Sequence, residues 1–413
     1  MRKIIVVGGG AAGIMAAIVA AEGGAKVTLF EKMAQVGRKL RITGKGRCNL
    51  TNTADIAEVV KNIPGNGKFL YSALKNFSPA DTVNFFENLG VVTKIERGGR
   101  VFPASDDASE VIDALIRRLA VLGVEVHTNS PVKEILAENK KIVGVNVGGK
   151  IFTADNYILA TGGASYPATG SSGDGFKFAR RLGHTVTEIL PSLVPLETEE
   201  DFVRDLQGLS LKNVRVKLLA EGKKISEQFG EMLFTHFGVS GPIILTLSKQ
   251  AAKLLAEGKF VELEINLKPA LTPEQLDARL LRDFAKFKGK IIKNALVELL
   301  PAKLIPIILD LSYLPEDKKV DDVTSAQRRR LIENLRGVPL TITKTRPIAE
   351  AIVTAGGISV KEIEPRTMRS KLVENLFIAG EVANVDGFTG GFNLQAAWSM
   401  GNVAGKFATK SVY

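Results

Sequence analysis

Hydrophobic and polar residues follow two rhythms along this chain. Up to about residue 190, short apolar runs alternate with longer amphipathic stretches, the pattern of an α/β protein built on a parallel sheet. Lys3–Val7 is β-branched and apolar on both faces, as in a strand covered on two sides, and the apolar stretch from about Gly13 to Glu22 reads as a buried helix. Lys26–Phe30 predicts a second strand. Asp107, with Glu110 three residues on in capping-box spacing, predicts a helix to about Leu122, and Val124–Thr128 then alternates as a strand. Pro131-Val132-Lys133 opens another strand, Lys140–Val147 and Lys150–Ala154 predict a hairpin, and Tyr157–Thr161 runs into Gly162-Gly163. From about Pro191 the rhythm changes to short alternating segments such as Val214–Leu219 and Val261–Leu267, then to amphipathic helices from Pro273 through Leu335. The α/β pattern returns with a strand at Asn375–Ala379 and a helix from about Asn393 to Thr409.

Ile4–Ala21, behind Met1-Arg2-Lys3, is nearly uncharged and imitates a signal peptide or a membrane span, but its glycines resolve it into strand, turn and helix. No membrane association is therefore expected. A length of 413 residues predicts two or three domains. The single cysteine, Cys48, excludes an intramolecular disulfide and a dithiol mechanism and fits a cytoplasmic protein, and the three histidines stand too far apart for a metal site. The net charge of +11 is spread along the chain and aromatic content is only 6%, which weighs against a nucleic-acid partner and favours a solvated basic surface.

Glycine changes the picture most: the 40 glycines gather in short runs, as ligand-cradling loops require. Gly8-Gly9-Gly10-Ala11-Ala12-Gly13 follows the first strand with G-x-G-x-x-G spacing. Gly8 permits the tight turn, Gly10 admits a pyrophosphate, and Gly13 lets the helix pack on the sheet, leaving phosphates at the helix N-terminus. Glu31, at the end of the second strand and followed by Lys32, stands where a carboxylate accepts from a ribose 2′-hydroxyl and repels a 2′-phosphate, so this site should hold FAD or NAD.

The next loop, Gly37 to Asn52, packs Arg38, Lys39, Arg41, Lys45 and Arg47 among Gly37, Gly44 and Gly46. Such cations can neutralise a diphosphate or grip a carboxylate, or they form a solvated basic loop. Thr43, Cys48 and Asn49 complete this candidate cofactor-binding loop; for the thiol, packing is favoured over a charge-transfer contact with a flavin.

GRKLRITGKGRCNLTN, GRVFP at Gly99–Pro103 and TGGFNLQ at Thr389–Gln395 resemble the aminoacetone-oxidase-like, or BaiN-like, family of NAD(P)/FAD-dependent oxidoreductases, some of them described as ring reductases. Lys45 departs from the small residue usual there, and Asn384 from a usual acid. The resemblance implies a Rossmann-like FAD-binding domain of the glutathione-reductase type, residues 1–190 with 342–413. It also implies a substrate-bearing insert at 191–341, set over the reactive face of the flavin: a β-barrel to about 268 and a helical piece at about 269–341. Val132 would pair its backbone with adenine, and Thr161 and Gly162 would belong to the same site. In flavin folds an acid after a glycine binds the ribityl chain, which fits Gly380-Glu381. The helix opening at Gly391, Asn393 and Leu394 would aim its N-terminus at the N1/C2 carbonyl region.

Gly170–Gly175, GSSGDG, has the wrong spacing for a second dinucleotide fold, so NAD(P)H would dock transiently. The expected function is an FAD-dependent oxidoreductase passing hydride between flavin N5 and a small organic substrate, with NAD(P)H as donor. An amine oxidase using oxygen is equally compatible, and an RNA-modifying flavoprotein is the alternative from another class. No catalytic residue is assigned; His236 is either a proton donor or a structural histidine, and no Ser/His/Asp arrangement is apparent.

Overall fold

The computed structural model describes residues 1–410, which divide into two compact units, Met1–Leu190 with Ile348 onward, and Pro191–Pro347.

The first unit is organised by a five-stranded parallel sheet in the order Leu376–Ile378, Asn156–Leu159, Lys3–Val7, Lys26–Phe30, Glu125–His127. Lys3–Val7 is central, with Val7 opposite both Leu159 and Phe30, so Gly8, Ala160 and Glu31 leave the sheet side by side at its carboxyl edge. Parallel α/β sheets bind ligands at that edge. The first helix runs Ala11–Glu22, two residues earlier than its apolar pattern suggests, because Gly10 already serves as the N-cap. Asp107 caps the helix Ala108–Val121, but not through a capping box: it accepts from the Ser109 N–H at 2.7 Å, while Glu110 takes the Ser105 hydroxyl.

The last helix, Phe392–Ala408, lies against the first. Cβ atoms at Gly401 and Gly405 would fall 2.4 Å from the carbonyl oxygens of Ala12 and Ala16, a separation that only glycine tolerates. This pairing of small residues, 389 positions apart at its ends, carries no local sequence signal. Trp398 on the last helix is fully buried and donates to the Leu50 carbonyl at 3.0 Å. GRVFP forms a strand, Arg100–Pro103, pairing Val101 with Thr51 and Arg100 with Asn52.

The second unit holds a closed six-stranded barrel: Leu196–Thr198, Gly238–Ser240, Lys223–Thr235, Ser210–Ala220, Val261–Asn266 and Val338–Thr345, the last returning to the first. Val338–Thr345 crosses the expected boundary at 341/342 and lies far beyond 268, so the helical piece is spliced into the barrel ahead of its final strand. Closure explains this, since Leu196–Thr198 and Val261–Asn266 would otherwise expose unpaired edges. Capping boxes start the helices Pro273–Lys286 and Ser325–Arg336 at Thr272 and Thr324. No helix among the described residues is long and apolar enough to cross a membrane.

Candidate active site

The glycine fingerprint is shaped as its spacing predicts. Gly8 has φ +107°, and a Cβ there would sit 2.5 Å from the Ala160 carbonyl oxygen; one at Gly13 would sit 1.9 Å from that of Gly8. These two glycines weld turn, helix and sheet together. Gly10 is different: nothing lies within 4 Å of its would-be Cβ, so its surface faces open space at the start of the first helix. Ala11 opens that helix, and Ala12 meets Gly380, whose Cβ would lie 2.8 Å from the Ala12 methyl. The two glycine segments thus converge at one edge of the sheet.

A cleft beside this turn is lined by Gly8, Glu31, Lys32, Val132, Thr161 and Asp174. Glu31 is 9% exposed and accepts from the Gly9 and Met33 N–H groups, each at 2.8 Å, which fixes its carboxylate on the cleft wall. The hydroxyls of Thr161 and Ser171 are buried without partners, the second beside Gly162. Glycine surface, an oriented carboxylate, orphaned hydroxyls and a helix N-terminus fit a dinucleotide. GSSGDG belongs to this cleft: Gly170 stands over Glu31, and Lys32 bonds to Ser172 and, at 2.7 Å, to Asp174. Burial pushes the Asp174 carboxyl up, but its hydrogen bonds to Lys32 and Ser172 hold it below the usual range. The spacing of that motif gave no hint of this role.

The basic loop splits into parts. The Gly37 N–H donates to Gly9 at 2.8 Å, fastening the loop to the fingerprint, and Thr43 bonds back to Leu40. Lys39 turns inward to Glu381 at 2.8 Å and Ser165 at 2.6 Å, while Glu381 also accepts from the Thr354 N–H at 2.8 Å. The Arg47 guanidinium, expected to meet a diphosphate, a carboxylate or solvent, is held by Glu96 at 2.7 Å and Asp106 at 3.2 Å and lies 4.1 Å from the centre of the Phe102 ring. Arg38, Arg41 and Lys45 stay exposed, Arg41 donating to the Ser109 hydroxyl at 3.0 Å. Gly44, Lys45 and Gly46 all have left-handed backbones, which at Lys45 (φ 61°) costs about 1–2 kcal/mol.

Cys48 is fully buried, and burial pushes its thiol up to about 12 against a weaker opposing hydrogen bond with Thr43, which favours the packing role over a thiolate near neutrality.

RCNLTN and TGGFNLQ owe their specificity to each other. With its amide turned to satisfy both ends, Asn49 accepts from the Gly391 N–H at 2.9 Å and donates to Thr51 and Val101. Asn52 donates to Gly390 at 2.9 Å, and the Thr51 hydroxyl bonds to Gln395. Gly391 caps the last helix with φ +96°, its Cβ position 2.3 Å from the Thr51 carbonyl oxygen. The side chain of Asn393 is consumed by the loop it follows, bonding both backbone groups of Gly387 at 2.7 Å, and Leu394 packs on the core.

The three histidines have separate surroundings. His236 is exposed at a barrel turn against Phe237, and His127 stacks on Phe30. His184 does sit in a Glu362–His184–Ser370 row, at 3.0 and 2.9 Å, which the sequence did not disclose. The Ser370 hydroxyl oxygen is buried and also accepts from the Leu372 and Val373 N–H groups, so the row fastens loops.

A family model described as the HI0933-like protein Rossmann domain matches residues 2–407. The 3-dehydro-bile acid delta(4,6)-reductase of Clostridium scindens is 34% identical over 412 residues, covering 99% of this chain and 100% of that protein. The ribosomal RNA dihydrouridine synthase of Escherichia coli is 30% identical over 395 residues, covering 96% and 95%. The 3-ketosteroid delta1-dehydrogenase of Sterolibacterium denitrificans shares the fold, with a TM-score of 0.54 at 14% identity over 99% of this chain and 100% of that one.

Proposed function

The chain belongs to the HI0933-like Rossmann-domain family and is an FAD-dependent oxidoreductase, and on that premise we propose that it reduces a ring carbon–carbon double bond conjugated to a carbonyl, with NAD(P)H as donor. The names of the Clostridium scindens and Escherichia coli relatives meet in that chemistry, since a 3-oxo-Δ4,6 ring system and a uridine ring both present such a bond. In sum, NAD(P)H and one proton saturate the double bond and leave NAD(P)⁺. When bound, FAD supplies the hydride relay between the two.

The chain's own residues would position it. Gly10 would admit the pyrophosphate to the first helix N-terminus, Glu31 would accept from ribose hydroxyls, and Val132 and Thr161 would flank the adenosine. Lys39, bonded to Glu381 at 2.8 Å, would hold that carboxylate for the ribityl chain. The N-terminus of the 17-residue last helix, set by Gly391, would favour the negative charge that gathers at N1/C2 on reduction.

The convergence of the two glycine segments, with Gly380 against Ala12, carries this reading. The test is an anaerobic absorbance scan of purified protein with NADH or NADPH, followed by a 3-oxo-4-ene steroid. Bleaching and then recovery of the flavin spectrum is expected; a protein without flavin, or reduced flavin indifferent to the steroid, would refute it. Uridine in RNA is the second reading, favoured by the Escherichia coli relative and the net charge of +11, and recovery with RNA alone would select it.

A further inference from the structure

We propose that Lys45 and Arg97 form a docking site for the phosphates of the nicotinamide dinucleotide, an inference that rests on the NAD(P)H-dependent reading above. The site is built by a loop and a turn bound to each other. The Arg47–Glu96 ion pair at 2.7 Å joins the Gly44–Arg47 loop to the turn at Arg97–Gly99. Asn52 donates to the Gly98 carbonyl at 2.9 Å, and a Cβ at Gly44 would lie 3.1 Å from the ring of Phe102. Lys45 stands two residues from one end of that ion pair and Arg97 one residue from the other.

Charge in this patch is unbalanced. Lys45, Arg47, Lys94, Arg97 and Arg100 lie on this loop, this turn and the strands beside it, and the ion pairs recorded there involve Glu96 and Asp106. Those two carboxylates are engaged by Arg47, Lys94 and Arg100. The side chains of Lys45 and Arg97 are exposed and meet no hydrogen-bond acceptor among the described residues, which leaves two donors for an incoming anion.

Lys45 has a second peculiarity. It holds a left-handed backbone between two glycines that do the same, where a third glycine would be unstrained. A lysine kept at a strained, exposed position points to use of its charge.

Location and shape favour a dinucleotide over a polynucleotide. The loop rests on Asn49, which ties to Gly391 at the cap of the last helix, so an anion held at Lys45 lies next to the segment assigned to the flavin ring. Phe102, the aromatic ring of the patch, is 2% exposed and lies beneath Arg47, leaving no face on which bases could stack.

The test measures anaerobic flavin reduction by stopped flow in wild type, Lys45→Gly, Arg97→Ala and Lys45→Arg, over a range of NADH and NADPH concentrations. Lys45→Gly and Arg97→Ala should keep the flavin and the limiting rate but raise the half-saturating nucleotide concentration about ten-fold, as expected for a lost charged hydrogen bond, while Lys45→Arg stays near wild type. Weakening confined to NADPH assigns the 2′-phosphate, and equal weakening with both nucleotides assigns the pyrophosphate. Unchanged half-saturation in yellow variants overturns the proposal, as does yellow wild type reduced by neither nucleotide, or a loss of RNA binding alone. A wild type lacking flavin overturns the underlying reading instead.

Discussion

Gly10 and Gly13 are three residues apart in one motif, yet substitution should damage different things. A Cβ at Gly13 would lie 1.9 Å from the Gly8 carbonyl oxygen, against an ordinary contact of 3.4–4 Å, and neither backbone can yield without moving helix from sheet. Gly13→Ala should therefore cost about 1–3 kcal/mol of overpacking, an apoprotein Tm loss of about 2–12 °C, along with the flavin. At Gly10 nothing lies within 4 Å, and its φ of −86° and ψ of −171° suit any residue. Gly10→Val should thus lower apoprotein stability by about 1 kcal/mol at most, the cost of a poorer N-cap, while its branched side chain fills the space a pyrophosphate needs. The assay pairs the ratio of flavin to protein absorbance after purification with thermal unfolding of the stripped apoproteins. A Gly10→Val protein that purifies yellow at wild-type stoichiometry would refute the pyrophosphate assignment. Equal destabilisation by both substitutions would refute the distinction itself.

Three further outcomes follow from the geometry. Glu31→Gln, which keeps one carbonyl acceptor for Gly9 or Met33 but removes the charge, should weaken FAD retention about 10- to 100-fold with the fold intact; unaltered retention on dialysis would argue against the ribose role. Because burial raises the Cys48 thiol to about 12, native protein at pH 8 should resist a thiol reagent that unfolded protein consumes one-to-one, and rapid native reaction would contradict the burial. The sign for stability is that the unfolded thiol ionises first, so Cys48 should lower stability as pH rises from about 9 toward about 12. His184 behaves oppositely: burial lowers it despite Glu362, so the unfolded chain takes up a proton the folded one refuses, and stability should fall as pH drops below the usual histidine range. His184→Gln should flatten that acid limb of a Tm-versus-pH curve; an unchanged limb would assign it elsewhere.

The legible parts of this protein are those whose cause lies within one turn of chain. Gly8 and Gly13 are needed because strand, turn and helix follow each other directly, so spacing alone exposes them. The strands Lys3–Val7 and Lys26–Phe30 appear at their expected bounds because each is a short, mostly buried run closed by a turn, Lys3–Val7 buried on both faces from Ile4 onward. Arg47 and Lys39 look alike in sequence, and only folding sends one to Glu96 and the other to Glu381. The barrel's last strand, Val338–Thr345, has no local signal because its partners, Leu196–Thr198 and Val261–Asn266, are supplied from far upstream. Asn49, Asn52 and Thr51 carry a recognisable motif whose physical reason, the grip on Gly390, Gly391 and Gln395, is invisible until both ends of the chain meet.

That meeting has a consequence for biosynthesis. Helix Ala11–Glu22 is made well before helix Phe392–Ala408, yet the carbonyls of Ala12 and Ala16 are covered only when Gly401 and Gly405 arrive. The nascent chain must therefore carry its glycine fingerprint unfinished until the late helix emerges, with the first helix lacking its neighbour, while the barrel unit between them can already close. A flavin cradle on this edge of the sheet would be complete only once the late helix has docked, so free flavin would meet a finished cradle rather than a growing one.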